Sequence, residues 1–533
     1  MFPRLLILLI VSLVPAFAEK ETVMLPMRDG IKLATDIYLP TGNPPFPVIL
    51  IRTPYNRESN AAIGAEGIKR GFVIVAQDCR GRFASEGENL PFHNDKADGL
   101  DTIEWVAKQS WCNGKIGTWG GSAVAITQFQ MLASGTDKIS AQHLTVGAPN
   151  LYDVIYINGV FRKSLIEDWL KGAKWSPHAL PVWEGHPNYD DYWRERDASR
   201  HYKNVDFPAL HIGGYWDIFA QSTIDSFLGY QEHAKRTARR KQKLVMGPWA
   251  HAIKQDKVGE LTFRNAKTPP GRAHDAWQWF DMTLHSDTTL LDAEPAVTYY
   301  VIGDTSNPNA PGNEWRTADQ WPPIKTKDTK FYFQRDRTLS HEKQVEAGPL
   351  IYRYDPANPV PTIGGIQLTI PAGPMDQQKI ESRNDVLVFT SEALTSPIEV
   401  TGRVRAKIWF AADIPDTDFV ARLCDVYPDG RSFNLCEGAI RTRFREGLDK
   451  EKSLKDGEIY PLEIDLWSTS VIFNAGHRIR VHITSSSSPG YDPNPNTGAA
   501  FRSNNESRKA NIKLYLDPKR PSHITLPIAT AGL

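Results

Sequence analysis

Lys115-Ile-Gly-Thr-Trp-Gly-Gly-Ser122-Ala-Val-Ala125 decides how the chain is read. A short β-prone run ends in two glycines, one serine follows, and a helical pattern then runs from Ala123 to about Ala133. A strand, a turn tight enough to admit only small residues, and a helix make the layout of a nucleophile elbow. Such a turn exposes the serine hydroxyl and aims the next N–H, here that of Ala123, at a developing oxyanion. The same residues also suit a serine that merely caps the helix, and the segment alone leaves both readings open. A phosphate loop does not fit, because neither G-x-G-x-x-G nor the lysine-bearing P-loop spacing is present.

The surroundings supply a sheet. Pro47-Val-Ile-Leu-Ile51 and Gly71-Phe-Val-Ile-Val-Ala76 are unbroken apolar runs, the pattern of parallel strands buried on both faces. Gly30 to Pro40 alternates instead, as a half-exposed strand does. Lys96 to Gln109 places Leu100, Ile103, Val106 and Ala107 on one helical face, and further strands are predicted at Ala141–Val146, Pro208–Gly213 and Lys243–Met246. Strands alternating with helices predict an α/β fold. Asn150 to Phe207 breaks this rhythm. It is rich in Trp, Tyr and Pro, with a helix predicted over Phe161–Trp175, and is too long for a plain connection. From about Pro295, short alternating runs such as Glu399–Phe410, Ala421–Val426 and His477–Thr484 indicate a β-sandwich or jelly roll. The expected organisation is a leader over 1–18, a catalytic α/β domain over 19–149 and 208–290, an inserted cap over 150–207, and a β-sandwich domain over 295–533.

Composition narrows the function. Of 533 residues 41% are hydrophobic, and 62 Lys+Arg balance 62 Asp+Glu. That leaves no basic surplus to hold nucleic acid and no polybasic run for a membrane surface. Arg4, the apolar Leu5 to Val14 and the small-x-small Ala16-Phe17-Ala18 read as a secretory signal peptide. The apolar run is shorter than the ~20 residues a bilayer span needs, and no Cys follows to carry a lipid. A secreted or periplasmic protein, free of the membrane after cleavage, is expected. Of the four cysteines, Cys424 and Cys436 flank the turn signal Tyr427-Pro-Asp-Gly430, so a hairpin would set them nearly opposite each other. Cys79 with Cys112 is the remaining pair, and four free buried thiols the alternative.

A serine nucleophile needs a base and an orienting acid, which follow in the order Ser, Asp, His in this fold class. Asp217 lies in Gly214-Tyr-Trp-Asp-Ile-Phe219 and His251 in Gly247-Pro-Trp-Ala-His251, each just past a predicted strand. Both therefore belong at the carboxyl edge of the sheet, where Ser122 emerges. With 14 histidines a His alone decides nothing, and a lone Asp after a strand is more often a helix cap. Order and placement together select Ser122, Asp217 and His251. Such a triad requires no metal and no cofactor. Trp169, Trp175, Trp183 and Trp193 in the cap are expected to line or cover an apolar acyl pocket, with at least half of them in its core.

The chain resembles the cocaine-esterase and X-Pro dipeptidyl-peptidase group of serine hydrolases. The motifs that carry this are Arg52-Thr-Pro-Tyr55, Asp78-Cys-Arg-Gly-Arg-Phe-Ala-Ser-Glu-Gly87, Trp111-Cys-Asn-Gly-Lys-Ile-Gly117, Gly120-Gly-Ser122, Gly214–Asp217 and Gly247–His251. In the β domain Asp416–Phe419, Asp425–Gly430 and Gly476–Arg480 match as well. The resemblance implies an α/β-hydrolase with a helical cap and a galactose-binding-like jelly roll. It also implies an oxyanion hole built from the Tyr55 hydroxyl and the Ala123 N–H. Asp78 and Arg80 are read as structural, pairing to hold their loop. Two departures matter. The family elbow reads Gly-x-Ser-Tyr-x-Gly where this chain has Ala123 and Ala125, which alters the pocket wall. Where the amino-ester hydrolases carry carboxylates after the triad Asp, this chain has Phe219 and Ala220, which disfavours an α-amino ester. The expected activity is hydrolysis of a small ester or amide with an apolar group through an acyl-enzyme. The alternatives are an X-Pro dipeptidyl peptidase acting on short peptides and a non-catalytic secreted binding protein.

Overall fold

The elbow sits in a ten-stranded sheet of the computed structural model, which describes residues 19–285, 289–345 and 348–530. The expected leader lies outside the described residues. The strands are β1 (Glu19–Pro26), β2 (Lys32–Leu39), β3 (Phe46–Thr53), β4 (Val73–Asp78), β5 (Cys112–Gly121), β6 (Ile139–Thr145), β7 (Ala209–Gly214), β8 (Lys243–Gly247), β9 (Val297–Val301) and β10 (Glu314–Ala318). Their spatial order is β1-β2-β4-β3-β5-β6-β7-β8-β9-β10. The strands from β4 to β9 run parallel, and the outer pairings are antiparallel. This is the α/β-hydrolase arrangement.

The apolar runs behave as period-two geometry requires. Val48 and Leu50 of β3 face a core with Val73, Val75, Ile103 and Phe129, whereas Ile49 and Ile51 face the opposite core with Ile74 and Phe280. Helices α1 (Ala61–Lys69), α2 (Asp95–Ala107), α3 (Ala123–Ala133) and α5 (Ala220–His233) cover the two faces. Between β6 and β7 the cap folds as short helices, the longest being α4 (Lys163–Gly172), around buried Tyr152, Tyr156, Trp183 and Trp193. Among the described residues no helix is long and apolar enough to cross a membrane.

The C-terminal part is a sandwich of a seven-stranded and a four-stranded sheet. Phe410 and Phe419, 4.7 Å apart, and Phe333 and Phe389, 4.4 Å apart, meet between the two sheets. Its start differs from the expected residue 295. β9 pairs with β8 and β10 with β9, so the α/β sheet runs on to Ala318. A short alternating run looks the same whether it closes one sheet or opens the next.

Both expected disulfides are absent, and all four cysteines are free thiols. The hairpin of Asp418–Val426 and Ser432–Arg441 does form, but a bulge sets Cys436 opposite Leu423 and Cys424 opposite Asn434. Successive side chains point to opposite faces, so the two sulfurs sit on different sides of the sheet. Cys79 follows the carboxyl end of β4, whereas Cys112 begins β5 alongside Phe46. At ~3.3 Å per residue that is roughly 20 Å, far beyond disulfide reach.

Asp78 and Arg80 are structural but do not pair with each other. Asp78 takes the Arg57 backbone N–H at 2.7 Å and its guanidinium at 2.8 Å. Arg80 reaches Asp98 at 2.6 Å and Asp29 at 2.7 Å. Their backbones turn apart at the end of β4, so each finds its partner elsewhere.

A buried histidine ties the two domains. His477 Nδ1 lies 2.8 Å from Asp425 in the sandwich, and Nε2 lies 3.4 Å from Asp304, just past β9. Burial opposes its charge, but the hydrogen bond and charge of Asp425, with those of Asp304, outweigh it and raise its pKa above 6.5. A histidine whose folded pKa is raised stabilises fully below the unfolded pKa and loses that contribution as pH rises through the folded one. Thermal midpoints are therefore expected to fall as pH is raised from 6 upward, and to fall less in His477→Gln. Equal slopes for the two proteins would rule this out.

Candidate active site

Ser122 occupies the turn between β5 and α3 with φ 57° and ψ −127°. That conformation is strained for any residue but glycine. The turn is tight, since a Cβ on Gly120 would lie 2.1 Å from Val124 Cγ1. The hydroxyl makes no capping bond to α3, which removes the helix-cap reading. It lies instead 2.9 Å from His251 Nε2. Ser122 N–H is held by the Thr145 carbonyl at 2.9 Å. The next N–H, that of Ala123, stands at the first turn of α3, where a helix offers it no acceptor.

Asp217 and His251 stand on two loops laced together at the carboxyl edge. Tyr215 N–H donates to Gly247 O at 3.1 Å and Trp216 N–H to Trp249 O at 2.9 Å. Gly214 allows this approach, since a Cβ there would lie 2.3 Å from Trp249 O. The Trp216 indole reaches into the sandwich domain, donating to Asn434 O at 3.1 Å. Asp217 is wholly buried. One of its oxygens accepts Phe219 N–H at 2.9 Å, and the other lies 2.5 Å from His251 Nδ1. The three residues expected as a triad thus form one hydrogen-bonded chain, Asp217–His251–Ser122.

Tyr55 follows β3, its backbone N–H donating to Thr53 Oγ1 at 3.0 Å. Its hydroxyl accepts the Trp169 indole N–H at 3.0 Å. Although the residue is 37% exposed, burial of its hydroxyl end pushes the phenol pKa up, and the hydrogen bond from Trp169 pulls it part way back. The Ala123 N–H stands next to Ser122, and Tyr55 is tied to the pocket through Trp169.

Beside Ser122 lies a narrow pocket of about 20 Å³, walled by Phe92, Ala123, Ile126, Val154, Leu165, Ile166, Trp169, Ile218, Phe219 and Leu368. Apart from Ser122 this wall is apolar. Of the four cap tryptophans only Trp169 lines it, while Trp175, Trp183 and Trp193 are buried in the cap. Of the two elbow departures only Ala123 reaches the pocket. Ala125 packs in the core with Phe129. Sequence reading missed Phe92, the Trp169–Tyr55 bond and Leu368, which the C-terminal domain supplies from a loop at 367–370 where the alternating pattern predicts a strand. Among the described residues no group of three or more His, Cys, Asp or Glu converges as metal ligands would.

Comparison with known proteins finds relatives over nearly the whole chain. Residues 29–179 and 168–253 match the family model of X-Pro dipeptidyl-peptidase (S15 family), and residues 289–525 that of the X-Pro dipeptidyl-peptidase C-terminal non-catalytic domain. Cocaine esterase of Rhodococcus sp. (strain MB1 Bresler) is 32% identical, over 96% of this chain and 99% of its own length. A solved α-amino acid ester hydrolase superposes with TM-score 0.81 at 26% identity, covering 96% of both chains. An aminopeptidase from the marine sediment archaeon Thaumarchaeota archaeon gives TM-score 0.82 at 25% identity, covering 96% of this chain and 97% of its own.

Proposed function

This chain belongs to the cocaine-esterase and X-Pro dipeptidyl-peptidase family of serine hydrolases, and on that footing we propose that it cleaves a small carboxylic ester or amide through an acyl-enzyme on Ser122. The observation that carries this reading is the Asp217–His251–Ser122 chain, with links of 2.5 and 2.9 Å, opening onto an apolar pocket.

In this mechanism Ser122 Oγ attacks the carbonyl carbon while His251 Nε2 takes its proton. Asp217 accepts the Nδ1–H and so keeps Nε2 free to act as base. The tetrahedral oxyanion is held by the Ala123 N–H and the Tyr55 O–H. Collapse expels the alcohol or amine, which leaves with the proton from His251. Water, deprotonated by the same imidazole, then releases the acid. The pocket is small, about 20 Å³, and apolar, which suits a short acyl group. Its wall offers no carboxylate to an α-ammonium group, and this favours acyl esters and amides over substrates with a free N-terminus.

A panel of phenyl esters, acyl amides and X-Pro anilides tests the preference. Phenyl esters of short acids are expected to be cleaved fastest. Cleavage of the X-Pro anilide alone would replace this reading with the dipeptidyl-peptidase one.

A further inference from the structure

We infer that Trp169 of the cap is a positioning residue for Tyr55: its indole N–H donates to the phenol oxygen, so that the phenol O–H turns away from Trp169 and is left to donate to the oxyanion. This rests on the acyl-transfer mechanism proposed above.

A tyrosine hydroxyl can donate one hydrogen bond and accept others, whereas an indole N–H can only donate. At 3.0 Å between Trp169 Nε1 and Tyr55 Oη, the direction of the bond is therefore fixed, and the phenol is the acceptor. The phenol hydrogen cannot point back at Trp169 and must turn elsewhere. With the Trp169 N–H on its oxygen the phenol is held as a donor, while the Ser122 hydroxyl has its own acceptor in His251 Nε2 at 2.9 Å.

The ring that supplies this N–H is itself locked. Trp169 lies nearly parallel to Phe92 (6.0 Å, 4°) and to Trp183 (6.4 Å, 5°), and tilts against Trp175 at 5.2 Å. Packing against these three rings restricts rotation of the indole. The N–H therefore points at Tyr55 before any substrate arrives, the preorganisation that makes an oxyanion donor effective. An accepted hydrogen bond also polarises the phenol and strengthens its own donation. No local pattern around Trp169 in α4 signals this role, because its partner lies more than a hundred residues upstream.

The test separates this role from that of a pocket wall. The isostere 3-(benzothienyl)alanine at position 169 keeps the shape and the stacking but has no N–H. Trp169→Phe serves as a second variant. Each is made in wild type and in Tyr55→Phe, and phenyl-ester kinetics are measured on all of them. The isostere is expected to lower kcat about tenfold, the worth of one well-made hydrogen bond, with KM within about twofold. In the Tyr55→Phe background it should change kcat by less than about twofold, because the group it acts through is gone. Equal losses in both backgrounds would make Trp169 a wall only, and no loss in either would make the bond idle; both overturn the inference. Fluorophosphonate labelling of the same proteins keeps the two levels apart. Labelling that survives in Ser122→Ala overturns the parent mechanism, whereas Ser122-dependent labelling with additive kinetics overturns only the role of Trp169.

Discussion

Asp217→Asn is expected to lower kcat about 10⁴-fold, with little change in KM or thermal midpoint. The carboxylate accepts two bonds, one from Phe219 N–H at 2.9 Å and one from His251 Nδ1 at 2.5 Å. An asparagine has one acceptor oxygen and one donor nitrogen. The backbone N–H of Phe219 can only donate, so the amide oxygen must stay with it and the NH₂ must face Nδ1. The imidazole then becomes an acceptor at Nδ1 and carries its proton on Nε2, aimed at Ser122. The geometry survives while the base is lost. Steady-state kinetics on a phenyl ester check this, and a loss below about tenfold would mean that Asp217 does not set the tautomer.

His251→Ala is expected to cost more, on the order of 10⁵ to 10⁶ in kcat, because both proton transfers lose their carrier. Its effect should not add to that of Asp217→Asn, since the acid acts only through the imidazole. The double variant should be no slower than His251→Ala alone. The fold should tolerate the change. The His251 side chain is 17% exposed, and the loop is anchored by fully buried Trp249. An unchanged melting curve with abolished turnover is the expected pair of results. Full additivity with Asp217→Asn would show that the two residues do not act as a unit.

How much of this was legible beforehand depended on whether the signal was local. β3 and β4 announced themselves because burial on both faces demands unbroken apolar runs, and α3 because a tight glycine turn feeds it. Ser122, Asp217 and His251 each follow a strand, so their meeting at one edge followed from parallel topology. The resemblance supplied Tyr55, which no periodicity marks. What stayed hidden was set by long-range register. The bulge between Leu423 and Cys424 moves one cysteine to the other face without altering the hairpin signal. β9 and β10 close the catalytic sheet although their short alternating pattern belongs equally to a sandwich. Leu368 reaches the pocket from the other domain, and Trp169 meets Tyr55 only because the cap folds back over β3. Contacts of that kind are written in the packing of distant segments, not in any stretch of sequence.

The nucleophile is tested most directly by treating the intact protein with a fluorophosphonate and locating the adduct by peptide mass spectrometry. A single adduct on the peptide containing Ser122, absent from Ser122→Ala, is the predicted result. An unlabelled wild type, or a Ser122→Ala protein labelled to the same extent, would contradict it.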